Sequence, residues 1–261
     1  MGSWDDKMSG NGTLYVVGLG PGERRLMTPA ALAALARTPV VVGYGKYLDQ
    51  IDDLLVGKKV IRSGMGAEVE RCRRALAAAA AGSDVGVVCS GDPGIFAMAG
   101  LLYELRDREA VFAGVEIEVV PGLSAVFAAA AALGSPLTNG CVILSLSDLL
   151  TPTAVIVKNL EAAALSELAC ALYNPAGKKR RELLQQALAI FVRQRGPEVP
   201  AALLKNVSRR DEERWLGPLA DFPAERVDMN SLIIIGNATS VISRGNLYDR
   251  RGYREKYFPE N

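Results

Sequence analysis

Short apolar runs alternate along this chain with longer stretches of helical periodicity, and that alternation sets the expected architecture. Leu14 to Val17, Pro39 to Val42, Lys58 to Ile61 and Val85 to Cys89 read as strands, because each is a short, largely apolar run rich in β-branched residues. Between them, AALAALA behind Thr28-Pro29 and the segment Ala67 to Ala81 read as helices. In the second helix Glu68, Glu70, Arg71, Arg73 and Arg74 are expected on the solvent side. Val115 to Val120 alternates apolar and acidic positions, as a more exposed strand does. Strands alternating with helices predict a mostly parallel sheet covered on both faces.

The most informative stretch runs from Asp84 to Leu105. A buried strand there turns through Ser90-Gly91-Asp92-Pro93-Gly94 into a helical pattern, and the two glycines let a ligand approach the backbone. Asp92 and Pro93 fit the cap and first position of that helix, so Asp92 reads as a cap alone or as a ligand contact as well. Beyond Pro121-Gly122 the pattern restarts with an alanine-rich helix, Ser124 to Leu133. Strands follow at Val142 to Leu146, Cys170 to Tyr173, Ala201 to Leu204 and Leu232 to Ile235, and a helix opens at Lys178-Lys179-Arg180-Arg181. Leu216 to Val227 is expected to be a polar connection. The predicted organisation is a flexible leader 1–12, an N-terminal α/β domain 13–121, a C-terminal α/β domain 122–245 and a tail 246–261. Two consecutive α/β domains with a ligand cleft between them use every element.

Composition narrows the chemistry. The 261 residues include no histidine, which excludes imidazole catalysis and His-ligated metal sites, and no metal is expected. A net charge of +1 gives no reason to expect a nucleic-acid or membrane partner. Cys72, Cys89, Cys141 and Cys170 are scattered, as suits free thiols in a reducing, cytoplasmic setting. The glycine loop Gly18-Leu19-Gly20-Pro21-Gly22 invites a dinucleotide-binding assignment, yet its glycines do not sit on a helix N-terminus. Val41-Val42-Gly43-Tyr44 stands where a ribose-binding acid is needed, so the fold is not expected to be a Rossmann domain. Tyr44 and Tyr47 either line a pocket for a large flat ligand or cover a strand end. Four cations on one first helical turn oppose the macrodipole, and an anionic ligand or plain solvation would offset that.

Taken together, the motifs resemble the tetrapyrrole (corrin/porphyrin) methylase family. GLGPG at 18–22, SGDPGIFAM at 90–98 and VVPGLSA at 119–125 are similar to motifs shared across that family. VGYGKYL at 42–48, SLSDLLTP at 145–152, LYNPAGKKR at 172–180 and the closing Gly236, Asn237 and Arg251 to Tyr253 resemble its precorrin-3B C17-methylating branch. The resemblance implies a homodimer of two α/β domains that binds S-adenosylmethionine, releases S-adenosylhomocysteine, and acts on a tetrapyrrole with ring contraction. Carried over by residue, the cofactor contacts are Pro21, Ser90, Gly91, Asp92, Ile95, Ser124, Ala125, Asn174 and Val207. Gly20, Tyr44, Lys179 and Arg180 face the tetrapyrrole, and Asp148, Ser147 and Thr151 are the proton-transfer candidates, Asp148 reading equally as a helix cap. No cysteine-rich segment of iron–sulfur type appears, so a metal-free substrate is expected.

This chain departs from the branch pattern at Asn139-Gly140, where His-Asp is usual, at Thr153 for a tryptophan, at Ala176-Gly177 for Arg-Ser and at Asp249-Arg250 for Thr-Pro. Those substitutions bear on ring contraction more than on fold. Rival readings are a methylase of another corrin or porphyrin position, a methylase of an unrelated large substrate on the same scaffold, and a non-catalytic tetrapyrrole-binding protein.

Overall fold

Five largely apolar segments pair in parallel because most of them are buried on both faces. They are β1 (Thr13–Gly18), β2 (Val40–Tyr44), β3 (Lys59–Ser63), β4 (Val85–Cys89) and β5 (Glu116–Val120), in the order β3-β2-β4-β1-β5. Tyr15, Val17 and Val41 pack under α1 (Pro29–Arg37) and the one-turn α2 (Gly45–Leu48), while Leu14, Val16 and Val87 meet α3 (Glu68–Ala80) and α4 (Ala99–Arg108). Thr28 caps α1, its Oγ1 accepting from Ala31 N–H at 3.0 Å. The computed structural model describes residues 10–177 and 180–258, and it divides into two units, the first ending at Ser124 and the second beginning at Ala125.

Two expectations fail in the first unit. α4 begins at Ala99 rather than beside Pro93, so Ser90 to Met98 is a loop and Asp92 caps nothing. Arg71 is not on the solvent side of α3 but is 4% exposed. It donates to Ser63 Oγ at 2.6 Å, to Gly64 O at 2.7 Å and to Met98 Sδ at 3.3 Å. With Ala75 and Ala79 it keeps the four-residue spacing of the buried stripe.

The second unit opens with α5 (Ala125–Leu133) and the two-residue β6 (Gly134–Ser135). β7 (Cys141–Ser145), α6 (Thr153–Leu165), β8 (Ala169–Tyr173), α7 (Arg180–Arg195), β9 (Pro200–Lys205), β10 (Glu213–Pro218) and β11 (Ser231–Ile235) follow. Its main sheet has the order β10-β9-β11-β8-β7, with β7 and β8 parallel and β10 and β11 antiparallel to their neighbours. The carboxyl ends of β7, β8 and β9 therefore share one edge. β10 occupies the start of the segment expected to be a connection. As an edge strand it needs only one packed face, which Trp215 supplies by stacking edge-on against Phe222, ring centroids 5.5 Å apart. β12 (Ser240–Ser243) and β13 (Asn246–Asp249) form a hairpin that joins β6 in a small sheet, and α8 (Tyr253–Tyr257) ends the described chain. Among the described residues no helix is long and apolar enough to cross a membrane.

Candidate functional site

In the first unit the loops leaving β1, β4 and β5 meet through glycine. Gly91 N–H donates to Gly20 O at 2.8 Å and Gly20 N–H to Gly91 O at 3.2 Å, both residues at positive φ, 67° and 77°. Gly18, Gly91 and Gly122 pack backbone against backbone, so closely that a Cβ on Gly122 would stand 2.1 Å from Gly91 O. Asp92 closes the arrangement: Oδ1 accepts from Gly94 N–H at 2.8 Å and Oδ2 from Gly122 N–H at 3.1 Å. A carboxylate has about four lone-pair sites, so capacity for a ligand donor remains.

Around this junction Pro21 and Ser124 are buried, Ser90 is half-buried, and Ile95 and Phe96 are 37% and 52% exposed. Tyr44 ends β2 with its ring edge-on to Tyr47 at 5.2 Å and the Arg71 guanidinium 6.0 Å from its centroid. Cys89 immediately precedes Ser90, but burial pushes its thiol up to about 11, and Cys72 is likewise pushed up to about 12. Neither supplies a thiolate nucleophile near neutral pH.

In the second unit the shared edge gathers most of the remaining sequence candidates. Asn174 Nδ2 donates to Ser145 Oγ at 3.0 Å, and Ser147 N–H donates to the same oxygen at 3.1 Å. Arg180, first residue of α7, donates to Ser147 Oγ at 3.2 Å and to Ala176 O at 3.1 Å, and its Nε lies 3.5 Å from Asp148 Oδ1. Ser147, Asp148, Asn174 and Arg180 thus form one connected group. Asp148 does not cap α6, whose N-cap is Pro152. Thr151 is half-buried just before that helix, Ala125 opens α5, and Val207 is 5% exposed just beyond β9. Lys179 lies outside the described residues. A cavity of about 460 Å³ opens beside Pro175, Ala176, Gly177 and Arg181. A larger one of about 770 Å³, lined by Arg195, Pro200 and Asn237, sits at the opposite edge of the sheet.

Backbone strain gathers at the same places. Five non-glycine residues among those described have positive φ, and four adjoin or are candidate cofactor residues: Phe96 beside Ile95, Asn174 itself, and Asn206 and Ser208 flanking Val207. The fifth, Arg244, turns the β12–β13 hairpin. Strain of this kind persists where the surroundings enforce it, and it collects at ligand sites.

Sequence reasoning passed over Asp228, which braces this edge by accepting from Asn230 N–H at 2.9 Å and Ser231 Oγ at 3.0 Å and by pairing with Lys205 at 3.1 Å. Burial alone would raise its pKa, but those hydrogen bonds and the Lys205 charge hold it below the usual carboxylate range. With the folded-state pKa depressed, its contribution to stability is present above the ordinary carboxylate pKa and is lost as pH falls through the lowered value. Asp228→Asn should therefore flatten the acid limb of Tm against pH, measured by calorimetry, and an unaltered limb would contradict this.

The departures from the branch pattern separate in space. Asn139 Nδ2 donates to Thr239 Oγ1 at 2.8 Å and to Arg250 O at 2.9 Å, and Asp249 Oδ1 accepts from Ser240 Oγ at 2.6 Å. Positions 139 and 249–250 therefore form one cluster at the amino end of β7, whose five residues span roughly 16 Å. Ala176 and Gly177 adjoin the Asp148 group through Arg180, and Thr153 opens α6 just beyond Thr151.

Two α/β units presenting glycine-rich loops and a polar, strained strand edge define a ligand-handling enzyme scaffold, and comparison with known proteins makes it specific. The profile of the Tetrapyrrole (Corrin/Porphyrin) Methylases matches residues 13–223. The "Probable cobalt-factor III C(17)-methyltransferase" of Salmonella typhimurium is 40% identical over 92% of this chain and 99% of its own length. The "Precorrin-3B C(17)-methyltransferase" of a Sinorhizobium species is 38% identical over 89% and 92%. Among solved structures, the methyltransferase CobJ superposes with a TM-score of 0.88 at 36% identity, covering 92% of this chain and 100% of that one. Uroporphyrin-III C-methyl transferase from Thermus thermophilus, complexed with S-adenyl homocysteine, gives 0.67 at 25% identity, covering 86% and 97%. The chain belongs to the tetrapyrrole methylase family and has its two-domain α/β fold.

Proposed function

We propose that this protein is an S-adenosylmethionine-dependent C-methyltransferase of cobalamin biosynthesis. It methylates precorrin-3B, or the cobalt-bearing counterpart, at C17 and contracts the ring toward precorrin-4. The observation that carries this reading is 38–40% identity, over about nine-tenths of the chain, to relatives named for C17 methylation of both substrate forms. The expectation of a metal-free substrate has one such relative behind it, and the cobalt-bearing form has several, at 35–41% identity. The same reading makes the enzyme a cytoplasmic homodimer.

The residues present suit such a cofactor. Glycine loops without Cβ atoms let a nucleoside approach the backbone closely, Asp92 keeps acceptor capacity, and Ile95 with Phe96 offers exposed apolar surface. S-adenosylmethionine, when bound, supplies a methyl group on a sulfonium, already activated for transfer. The chain's task is then to hold donor and acceptor carbons in line, where proximity and orientation supply much of the rate. The tight junction of Gly18, Gly91 and Gly122 fixes the loop that carries Ser90 to Ile95; Gly20 and Tyr44 in the first unit and Arg180 in the second are the candidates for tetrapyrrole contact. Ring contraction moves protons, and Asp148 with Ser147 can hold or pass one at carboxylate or hydroxyl oxygen while Arg180 keeps both oriented. Asn139 stands apart from that group, so the histidine missing there leaves the Asp148 cluster intact.

The test is mass spectrometry and absorbance of the product after incubation with methyl-labelled S-adenosylmethionine and, separately, precorrin-3B and cobalt-factor III. One labelled methyl with the spectrum of a contracted ring is expected from at least one substrate. A methyl without contraction would remove the contraction step and implicate Ala176. No transfer from either, with cofactor bound, would overturn the substrate assignment.

A further inference from the structure

The turn after β9 holds a half-buried arginine whose Nε–H finds no acceptor in the protein. Residues 206–212 are locked by five hydrogen bonds. Asn206 N–H donates to Asn230 O at 3.2 Å, Arg209 N–H to Asn206 O at 2.9 Å, Glu212 N–H to Arg209 O at 3.1 Å, Asn206 Nδ2 to Asp211 Oδ2 at 2.8 Å and Ser208 N–H to Glu212 Oε2 at 2.7 Å. Asn206 and Ser208 take positive φ, 51° and 58°, so the loop is built against local preference. It presents Arg209, whose Nε is shielded from solvent and has no hydrogen-bond partner. The nearest carboxylates in sequence, Asp211 and Glu212, are turned to other donors.

Three other arginines with shielded guanidinium atoms find partners. Arg71 has Ser63 and Gly64, Arg180 has Ser147 and Asp148, and Arg195 donates to carbonyls including Ala163 O at 2.6 Å and Gly236 O at 2.5 Å. A guanidinium stays charged at any physiological pH, and a shielded N–H without an acceptor is costly. The complement to its planar fork is a carboxylate. The carboxyl end of β9 shares its sheet edge with those of β7 and β8, so Arg209 stands on the edge that carries Asn174 and Ser147, two residues beyond Val207.

We propose that Arg209 anchors a carboxylate of a bound ligand. Resting on the methyltransferase reading, that carboxylate belongs either to the methionyl end of the cofactor or to an acid side chain of the tetrapyrrole. The preformed loop fixes the guanidinium before binding, and the ligand carboxylate pairs with its outer Nη–H groups.

The test compares wild type, Arg209→Met and Arg209→Lys. Calorimetry measures S-adenosylhomocysteine and 5′-methylthioadenosine, which lacks the amino-acid carboxylate, and fluorescence quenching measures uroporphyrin III as a polycarboxylate porphyrin. Arg209→Met should weaken one carboxylate-bearing probe about 10- to 100-fold, with Arg209→Lys recovering only part because a point charge cannot bond bidentately. Thermal stability should not fall, because the methionine removes a shielded unpaired N–H. Loss for S-adenosylhomocysteine but not for 5′-methylthioadenosine assigns the cofactor carboxylate, and loss for uroporphyrin alone assigns the tetrapyrrole. Equal loss for both nucleosides, or no loss for any probe, would overturn the anchor while leaving the methyltransferase reading in place. A wild-type protein that binds none of the three would overturn both.

Discussion

Gly122→Ala should abolish methyl transfer and lower Tm by roughly 6–12 °C, taking an overpacking penalty of about 3 kcal/mol in a chain of this size. The added methyl would stand 2.1 Å from Gly91 O and 2.8 Å from Gly18 Cα, and no rotamer relieves a Cβ. Gly122 has no positive φ, so the penalty comes from space alone. Both contacted atoms are backbone, Gly91 in the loop that carries Ser90 to Ile95 and Gly18 at the end of β1, two residues before Gly20. Relief therefore requires a loop to shift, which breaks the bridge between Gly20 and Gly91 or the bond from Gly122 N–H to Asp92. Gly100→Ala is the matched control: it lies in α4 with nothing within 4 Å of the added carbon, and it should stabilise by up to about 1 kcal/mol through helix propensity. Differential scanning calorimetry with the labelled-methyl assay checks both, and a fully active Gly122→Ala enzyme would refute the junction's role.

How much of this was legible in the sequence follows from where each signal resides. The parallel sheet of the first unit was legible because buried strands such as Val85 to Cys89 need apolar residues throughout, whatever lies elsewhere. β10 was not, because Glu213 to Pro218 is a half-buried edge strand carrying charge, glycine and proline, and its single packed face depends on Phe222. The start of α4 was misread for a related reason. Asp92-Pro93 has the local chemistry of a cap and first turn, but the carboxylate is claimed by Gly122 N–H, thirty residues away, which no window reports. The pairing of Arg180 with Ser147 and Asp148 likewise arises only when β7 and β8 lie side by side. Arg71 could have been found, since its spacing to Ala75 and Ala79 marks the buried stripe of α3, whereas its charge suggested solvent.

The candidate site shows the same division. Residue types and order along the chain pointed to the family, and the strand-edge positions of Asn174, Ser147 and Val207 follow from topology. The positive φ of Ser208 and Phe96 carries no residue signature, because serine and phenylalanine enter that region only under tertiary constraint. Strain on both sides of Val207 and beside Ile95 is thus information the fold adds, and it bears on the same positions that the motifs suggested.

Asp92→Ala should weaken S-adenosylhomocysteine binding by about 10- to 100-fold, on the scale of losing a charge-assisted hydrogen bond pair. The carboxylate is the bond between the loops leaving β4 and β5: without it Gly94 and Gly122 lose acceptors at 2.8 and 3.1 Å, and any ligand donor loses its partner. Asp92→Asn separates the two roles. Its amide oxygen can still accept from one glycine N–H, so the loop is partly held, but the amide nitrogen then faces the other N–H, and the negative charge is gone. A merely structural Asp92 would give variants whose affinity tracks their Tm, with asparagine recovering both in step. A ligand-contacting Asp92 would leave Asp92→Asn weak in binding at near-normal Tm. Calorimetric titration beside thermal unfolding distinguishes these outcomes, and unchanged affinity in Asp92→Ala would remove the residue from the site altogether.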